Sequence, residues 1–257
     1  MTPKENFRKF FQHERGEWFP SFFTDANLAV FITGMDERAP RNQSGKDFFG
    51  CTWVFDPVGN AAVPDTSVPP ILDDICDWRE KVVFPDLDAV DWEESTKADK
   101  VDQYDPDKFN YTMLLEGPFE RLHTLMGFEN ALCAMLTDPE EVGAFFDRLT
   151  DLKCKELEIL KKYYHTEAVC FHDDWGTQKN MFFSPDIWRS LIKPQIKKIT
   201  AHCHSLGMFF DMHSCGKMDQ IIAEFPEIGI DSFQGQGIND IVGAMKKTGR
   251  SLSYNIT

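Results

Sequence analysis

The alternation of short apolar segments with amphipathic helical segments, which begins near residue 110, is the strongest constraint on the fold. It is typical of parallel β-α-β units, because each helix carries the chain back across the sheet. Predicted strands of the main sheet lie at 19–23, 111–115, 168–171, 208–212, 231–233 and 252–256. Predicted helices lie at 3–14, 118–126, 128–136, 139–164, 185–206, 217–225 and 239–247. A kink is expected in the fifth of these helices at Pro194.

These elements predict one α/β domain over residues 1–257. Residues 1–109 form its irregular N-terminal part, with a short strand at 51–55, and residues 110–257 form regular βα units. A closed barrel of this kind has about eight strands, more than can be counted here. We therefore expect the remaining C-terminal strands to be missing from the given sequence or supplied by a partner chain, since an open edge leaves backbone groups unpaired.

Composition excludes several classes of protein. Lys and Arg number 27 against 42 Asp and Glu, and the resulting charge of −15 argues against non-specific binding to nucleic acid. A hydrophobic content of 42% is that of a globular protein. No apolar run reaches the roughly 20 residues of a membrane span, and the charged N-terminus is not a secretory signal. With seven scattered Cys residues, we expect a cytoplasmic protein with free thiols.

His213 and Cys215 are the sharpest candidates for a metal site. Residues two apart on extended backbone point to the same face, so an imidazole and a thiolate placed here can bind one borderline ion such as zinc. The pattern also fits a buried cysteine beside a loop histidine, without metal. His202 and His204 lie inside a predicted helix, where their side chains diverge, so they are not expected to share an ion.

A second polar group, His172, Asp173 and Asp174, directly follows a predicted strand. Adjacent carboxylates repel, so one of them is expected to have a raised pKa or to bind a cation. The alternative is that one of them caps the next turn through backbone N–H groups. Asp173 and Asp174 are therefore catalytic candidates. His172 is a candidate for binding substrate, as are Glu116 and Gln178, which lie at similar junctions.

A series of motifs runs through the C-terminal half of the chain. In order, they are Asp173-Asp174-Trp175-Gly176-Thr177-Gln178, Ser184-Pro185, Trp188, Lys193-Pro194 and His213-Ser214-Cys215-Gly216. Their order and spacing resemble the uroporphyrinogen decarboxylase superfamily, especially its branch of cobalamin-dependent (corrinoid) methyltransferases. The resemblance is best over 110–257. Over 1–109 it is looser and rests on Arg15-Gly16-Glu17 and Asp47-Phe48-Phe49-Gly50.

The resemblance implies a (β/α)8 TIM barrel of the uroporphyrinogen decarboxylase type, with its pocket at the C-terminal ends of the strands. In the methyltransferase branch a His-x-Cys pair and a later Cys bind zinc, and the pair here is His213 and Cys215. The implied enzyme moves a methyl group between a small methylated substrate or thiol and the cobalt of a corrinoid protein, with zinc as Lewis acid. Asp173 and Asp174 would line the pocket as hydrogen-bond acceptors or proton carriers. The implied partners are the corrinoid protein and the small substrate, and a homodimer stays open.

The sequence departs from the pattern of the family in two ways, and these differences leave alternatives open. No Cys follows Cys215, so either the third ligand lies outside the given sequence or Asp173, Asp174 or Glu116 replaces it. Uroporphyrinogen decarboxylases hold a many-carboxylate porphyrinogen with N-terminal arginines, and the corresponding stretch 18–25 contains none. Decarboxylation of uroporphyrinogen, a step of porphyrin biosynthesis, is the alternative activity. A non-catalytic or truncated family member that acts as a binding subunit is the second alternative.

Overall fold

The computed structural model describes residues 1–39 and 43–256. The strands are β1 (Ala26–Ala29), β2 (Gly45–Lys46), β3 (Thr52–Asp56), β4 (Ala61–Pro64), β5 (Phe109–Leu114), β6 (Ala168–His172), β7 (Phe209–Ser214), β8 (Ser232–Gly235) and β9 (Ser253–Ile256). The α-helices are α1 (Pro3–Phe11), α2 (Trp78–Lys81), α3 (Trp92–Ala98), α4 (Pro118–Met126), α5 (Phe128–Thr137), α6 (Pro139–Tyr163), α7 (Pro185–Ile187), α8 (Lys193–Ser205) and α9 (Ile241–Thr248).

The main sheet is parallel, in the order β1-β5-β6-β7-β8-β9. Each strand pairs with the next sheet strand along the chain, which is the order of the βα units in a TIM barrel. Within the described residues no ladder joins β1 to β9. The predicted α/β class is therefore confirmed, and the sheet is compatible with a barrel of the uroporphyrinogen decarboxylase type.

The first strand was predicted in the wrong place. Residues 19–23 are irregular, and β1 is formed instead by Ala26–Ala29, which pairs with β5. Within 19–23, the ring of Phe22 packs 4.4 Å from the ring of Tyr111, whereas Phe19 and Phe23 are exposed. Aromatic residues that pack under a sheet can thus imitate a strand in the sequence.

The helix predicted at 217–225 is also wrong. Only a 3₁₀ turn at Ile222–Glu224 forms in that range. The preceding residues are held by side chains from the next loop, since the backbone N–H of Met218 donates to Asn239 Oδ1 at 2.7 Å. Such long-range hydrogen bonds replace the local bonds of a helix, and sequence periodicity does not report them.

The irregularity predicted at Pro194 is present. Between α7 and α8 the chain forms a π-helical turn, Trp188–Ile192. Proline has no backbone N–H, so regular i to i−4 hydrogen bonding fails in this part of the helix. A π turn is a common response to such a failure.

The two faces of the main sheet have different partners. One face contributes to the large apolar core shared with α6 and α8, through Val169, Phe171, Phe210, Met212 and Phe233. On the other face, α1 covers the N-terminal end of the strands, where Phe7 and Phe11 stack on Phe109 at 5.3 and 5.6 Å between ring centroids. The C-terminal end of this second face carries the polar residues described below.

A buried ionic cluster attaches the N-terminal part to the βα units. Arg121 of α4 is fully buried, and it donates to Asp47 Oδ2 at 2.6 Å and to the carbonyl of Glu37 at 2.6 Å. Lys153 of α6 pairs with the Glu37 carboxylate and donates to the carbonyl of Leu115 at 2.9 Å. The cluster therefore fixes the chain on either side of residue 40 against two helices.

No helix among the described residues combines the length and the hydropathy that a membrane span requires.

We expect Arg121→Ala to lower the free energy of unfolding by about 3–5 kcal/mol, because it leaves the buried carboxylate of Asp47 without its ionic partner and removes one of the two cations bound by Glu37. Arg79→Ala is the matched control. Arg79 pairs with Glu141 at the surface, where such pairs contribute little to stability. Urea denaturation followed by circular dichroism measures both. Equal losses in the two variants would contradict the role given to the cluster.

Candidate active site at the C-terminal ends of the strands

Strand register places the site residues in one row. His172 of β6 is paired with His213 of β7, and His213 is paired with Gln234 of β8. Residues paired in a parallel sheet project from the same face. The two histidines and the glutamine therefore lie side by side at the C-terminal ends of three adjacent strands, where barrel enzymes carry their chemistry.

The loops that follow β6 and β7 touch through two glycines. A Cβ added to Gly216, which has a φ of +95°, would lie 2.1 Å from the carbonyl carbon of Gly176. A Cβ added to Gly176 would lie 3.0 Å from the backbone nitrogen of Lys217. No larger residue fits this contact. The glycines of both motifs therefore bring Asp174, two residues before Gly176, close to Cys215, one residue before Gly216.

Asp173 is buried and binds the start of α4. Its Oδ1 accepts from the backbone N–H of Glu120 at 2.8 Å, and its Oδ2 accepts from Phe119 N at 3.3 Å and Trp175 Nε1 at 2.7 Å. The carboxylate thus caps a helix that precedes it in the chain, and not the next turn, which was the alternative that the sequence left open. Its predicted catalytic role stays a prediction, and each of these contacts holds α4 or the Trp175 side chain in place.

Asp174 faces the two histidines. Its Oδ1 lies 4.0 Å from His172 Nε2 and 3.8 Å from His213 Nε2, and it accepts from the backbone N–H of Cys215 at 2.6 Å. One potential ligand atom from each of Asp174, His172 and His213 lies within 4.8 Å of the other two. The histidine rings stack at 4.5 Å between centroids. These three half-buried side chains could hold a cation.

Cys215 lies next to His213, as the sequence predicted from their spacing. The Cys215 Sγ is 3.5 Å from His213 Nε2. The side-chain amide of Gln236 donates to the same sulfur at 3.6 Å. His213 Nε2 is thus close both to the Cys215 sulfur, at 3.5 Å, and to the Asp174 carboxylate, at 3.8 Å, and all three are ligand types that zinc accepts.

An arginine and two glutamates form the neighbouring part of the site. Arg38 donates from Nε to Glu116 Oε1 at 2.5 Å and from Nη2 to Glu120 Oε1 at 2.9 Å, and Glu120 Oε2 lies 2.8 Å from His172 Nδ1. Burial would raise the pKa of Glu116, but Arg38 and Arg121 lower it to about 2. Burial raises the pKa of Glu120 to about 7. Glu116, a predicted substrate-binding residue, is thus ionised and already paired.

Burial sets the charge of the ligand candidates. It lowers the pKa of His172 to about 4, with help from the positive charge of Arg38, and it lowers the pKa of His213 to about 4, with help from His172. Both rings are therefore neutral at pH 7, which leaves a nitrogen lone pair on each. Burial and the nearby Asp174 raise the pKa of Cys215 to about 12. This thiol would ionise only with a compensating cation.

The other candidates lie outside this cluster. Gln178 is exposed on the loop after β6, so its substrate role stays a prediction. His202 and His204 diverge as expected, because His202 pairs with Glu158 and His204 pairs with Asp231.

Sequence reasoning missed Arg38, Glu120, Gln234 and Gln236. Arg38 follows β1, and the misplaced first strand concealed that its loop reaches the same edge as the other strand ends. Glu120 lies inside α4, and nothing in its neighbouring sequence marks it as a site residue. Gln234 lies in β8 and Gln236 directly after it, and their spacing of two residues, like that of His213 and Cys215, is the local signal that could have marked them.

We expect His172 and His213 to stay neutral down to about pH 5 in the metal-free chain, whereas His204, whose pKa a hydrogen bond to Asp231 raises, should titrate above 6.5. A folded-state pKa below the unfolded value means that these two histidines favour folding above pH 6.5, and that this contribution is lost as the pH falls towards 4. Carbon–proton NMR shifts of the imidazoles against pH measure all three. A midpoint for His213 at or above that of His204 would contradict the burial argument.

Comparison with known sequences identifies the family. A sequence profile of the family described as uroporphyrinogen decarboxylase (URO-D) matches residues 100–253, more than half of the chain. The matched part includes β5 to β8 and the loops that carry His172, Asp174, His213 and Cys215. A search of curated proteins finds no match. The chain therefore belongs to the uroporphyrinogen decarboxylase family.

Proposed function

We propose that the protein is a methyltransferase component that moves a methyl group between a small methylated compound or thiol and a corrinoid protein, with zinc at its site. The observation that carries the proposal is the adjacent placement of His213 Nε2 and Cys215 Sγ, 3.5 Å apart, at the C-terminal end of β7. The motif resemblance to the corrinoid methyltransferase branch supports the reaction type and the partner.

The spacing of these two atoms fits zinc. Zinc binds histidine nitrogen at about 2.0–2.1 Å and cysteine sulfur at about 2.3 Å, and a tetrahedral angle then separates the two ligand atoms by about 3.5 Å. The same separation is present between His213 and Cys215. Neutral imidazole is the form that binds metal, and the pKa of His213 near 4 supplies it at pH 7.

Asp174 is the best-placed third ligand of the three that the sequence left open. Its Oδ1 lies 3.8 Å from His213 Nε2, and the same oxygen contacts the backbone N–H of Cys215. Asp173 and Glu116 are occupied elsewhere, by the start of α4 and by Arg38. A site of three protein ligands leaves a fourth position for substrate, which is the pattern of catalytic zinc.

Zinc held there would lower the proton affinity of a bound thiol or of a leaving oxygen. The protein's own groups then have separate tasks. His172, whose Nε2 faces Asp174, could pass the proton that a thiol substrate releases to Glu120, which lies 2.8 Å from its Nδ1 and has a pKa of about 7, because the imidazole itself, with a pKa of about 4, does not keep a proton at pH 7. Its Nδ1 contact with Glu120, at 2.8 Å, fixes the direction of the ring.

The charge around the site disfavours a porphyrinogen with many carboxylates. Among the described residues, Arg38 is an arginine that reaches the site, and the carboxyl groups of Glu120, Glu116 and Asp174 around it raise its pKa against the effect of burial. A guanidinium already bound to two glutamates has few free donors for a substrate carboxylate. The surroundings of Arg38 therefore support a small neutral or thiol substrate over a highly anionic one.

Metal analysis tests the zinc site. We expect the chain to bind about one zinc ion under reducing conditions, and Cys215→Ala to lower its zinc affinity at least a hundredfold, because the sulfur ligand is lost. Cys133→Ala is the control, since Cys133 is an exposed cysteine of α5 far along the chain from the motif. Equilibrium dialysis with a competing chelator measures each affinity. A wild-type chain that folds but binds no zinc would overturn the proposal.

An activity assay separates the two enzyme hypotheses. We expect no release of carbon dioxide from uroporphyrinogen, because Arg38 is engaged by Glu116 and Glu120. We expect transfer of a methyl group between a free corrinoid and one member of a panel of methylated ethers, amines and thiols. Visible spectroscopy of the corrinoid follows this transfer. Turnover of uroporphyrinogen without added metal would instead establish the decarboxylase alternative.

A further inference from the structure

We propose that Gln234 and Gln236 of the β8 segment are positioning residues for the metal pair: Gln234 holds His213 in the tautomer whose Nε2 is free, and Gln236 donates a hydrogen bond to the sulfur of Cys215. The inference rests on the proposed zinc site and goes beyond it, because it assigns a role to two residues that hold no metal themselves.

The sheet places Gln234 beside His213, because the two are register neighbours across the β7–β8 ladder. A contact fixed by strand pairing is more precise than a contact between loops. Gln236 and Cys215 each lie two residues further along, just beyond the ladder, which ends at Ser214 and Gly235. Their contact is fixed instead by hydrogen bonds between the two loops that follow the strands.

Two donors fix the orientation of the Gln234 side chain. Its Oε1 lies 2.8 Å from His213 Nδ1 and 3.8 Å from Cys170 Sγ. Cys170 is fully buried, which raises its pKa and keeps the S–H proton that an oxygen can accept. With an acceptor facing Nδ1, the ring proton of neutral His213 resides on Nδ1. The lone pair of Nε2 then points towards Cys215.

The orientation of Gln236 is fixed by the backbone. Its Oε1 accepts from the N–H of Gly216 at 3.0 Å, so its amide nitrogen is turned to Cys215 Sγ at 3.6 Å. An N–H group that faces a sulfur favours the thiolate, because a hydrogen bond to the charged form stabilises it. Gly216 therefore both allows the close contact with Gly176 and directs this amide.

The partner of a histidine ligand usually contributes a factor of 10–100 to metal affinity. We expect Gln234→Met, which keeps the length but loses the acceptor, to lower zinc affinity by about this factor and to move the His213 proton partly to Nε2 in the metal-free chain. Gln234→Glu keeps an acceptor and should preserve both properties. Gln236→Met should weaken zinc binding while the tautomer stays unchanged.

Two measurements test these expectations: nitrogen-15 NMR of the His213 ring in the metal-free chain, and zinc affinity by chelator competition. Gln103→Met, an exposed position, is the control for the loss of an amide. Thermal melting confirms that each variant is folded, and Gln234→Glu tests the same contact if Gln234→Met does not fold.

The possible results distinguish this inference from the proposed function. If the wild-type chain binds no zinc, the proposed function fails, but a tautomer change in Gln234→Met still supports the role of Gln234. If the wild-type chain binds zinc, and Gln234→Met and Gln236→Met bind it equally well with an unchanged tautomer, the inference is overturned.

Discussion

The buried ionic cluster around Arg121 is the interaction on which the remaining structure depends. Arg121 and Lys153 come from two helices of the βα units, and both bind Glu37 in the loop after β1. Buried charges of this kind are stable only when each has a partner, so the loop has few alternative positions. Arg38, the next residue, is thereby carried to Glu116 and Glu120. The N-terminal part of the chain is thus a structural component of the site.

The two adjacent aspartates illustrate how one motif serves two purposes. Asp173 points into the protein and caps α4, which holds Glu120 and Arg121 in place. Asp174 points outwards to His172, His213 and the backbone of Cys215. The alternation of side chains on extended backbone separates them. As expected for one of the two, the pKa of Asp173 is raised, but the causes are burial and Glu120, and of the pair Asp174 is the one placed to contact a ligand.

The sequence predicted the regular part of the fold well, because β5 to β9 and the helices α4, α5, α6, α8 and α9 carry clear apolar periods, whereas the helix expected at 217–225 does not form. It failed at β1, since the strand Ala-Asn-Leu-Ala has little β propensity and forms by pairing with β5. Of the aromatic residues before it, Phe22 packs against Tyr111, whereas Phe19 and Phe23 are exposed. The adjacency of His213 and Cys215 was predictable from their spacing. Arg38 was not predictable, because its position follows from a long-range ion cluster, and the spacing of Gln234 and Gln236 does not reveal which strand β8 pairs with.

The contact between Gly176 and Gly216 has a consequence for binding. Because the backbones of the two loops touch, neither loop can shift without moving the other. The proposed donor atoms of Asp174, His213 and Cys215 are therefore held in place by the fold, and little conformational entropy would be lost on binding. A single methyl group added to Gly216 would wedge the loops apart and impair recognition while every donor atom remained present.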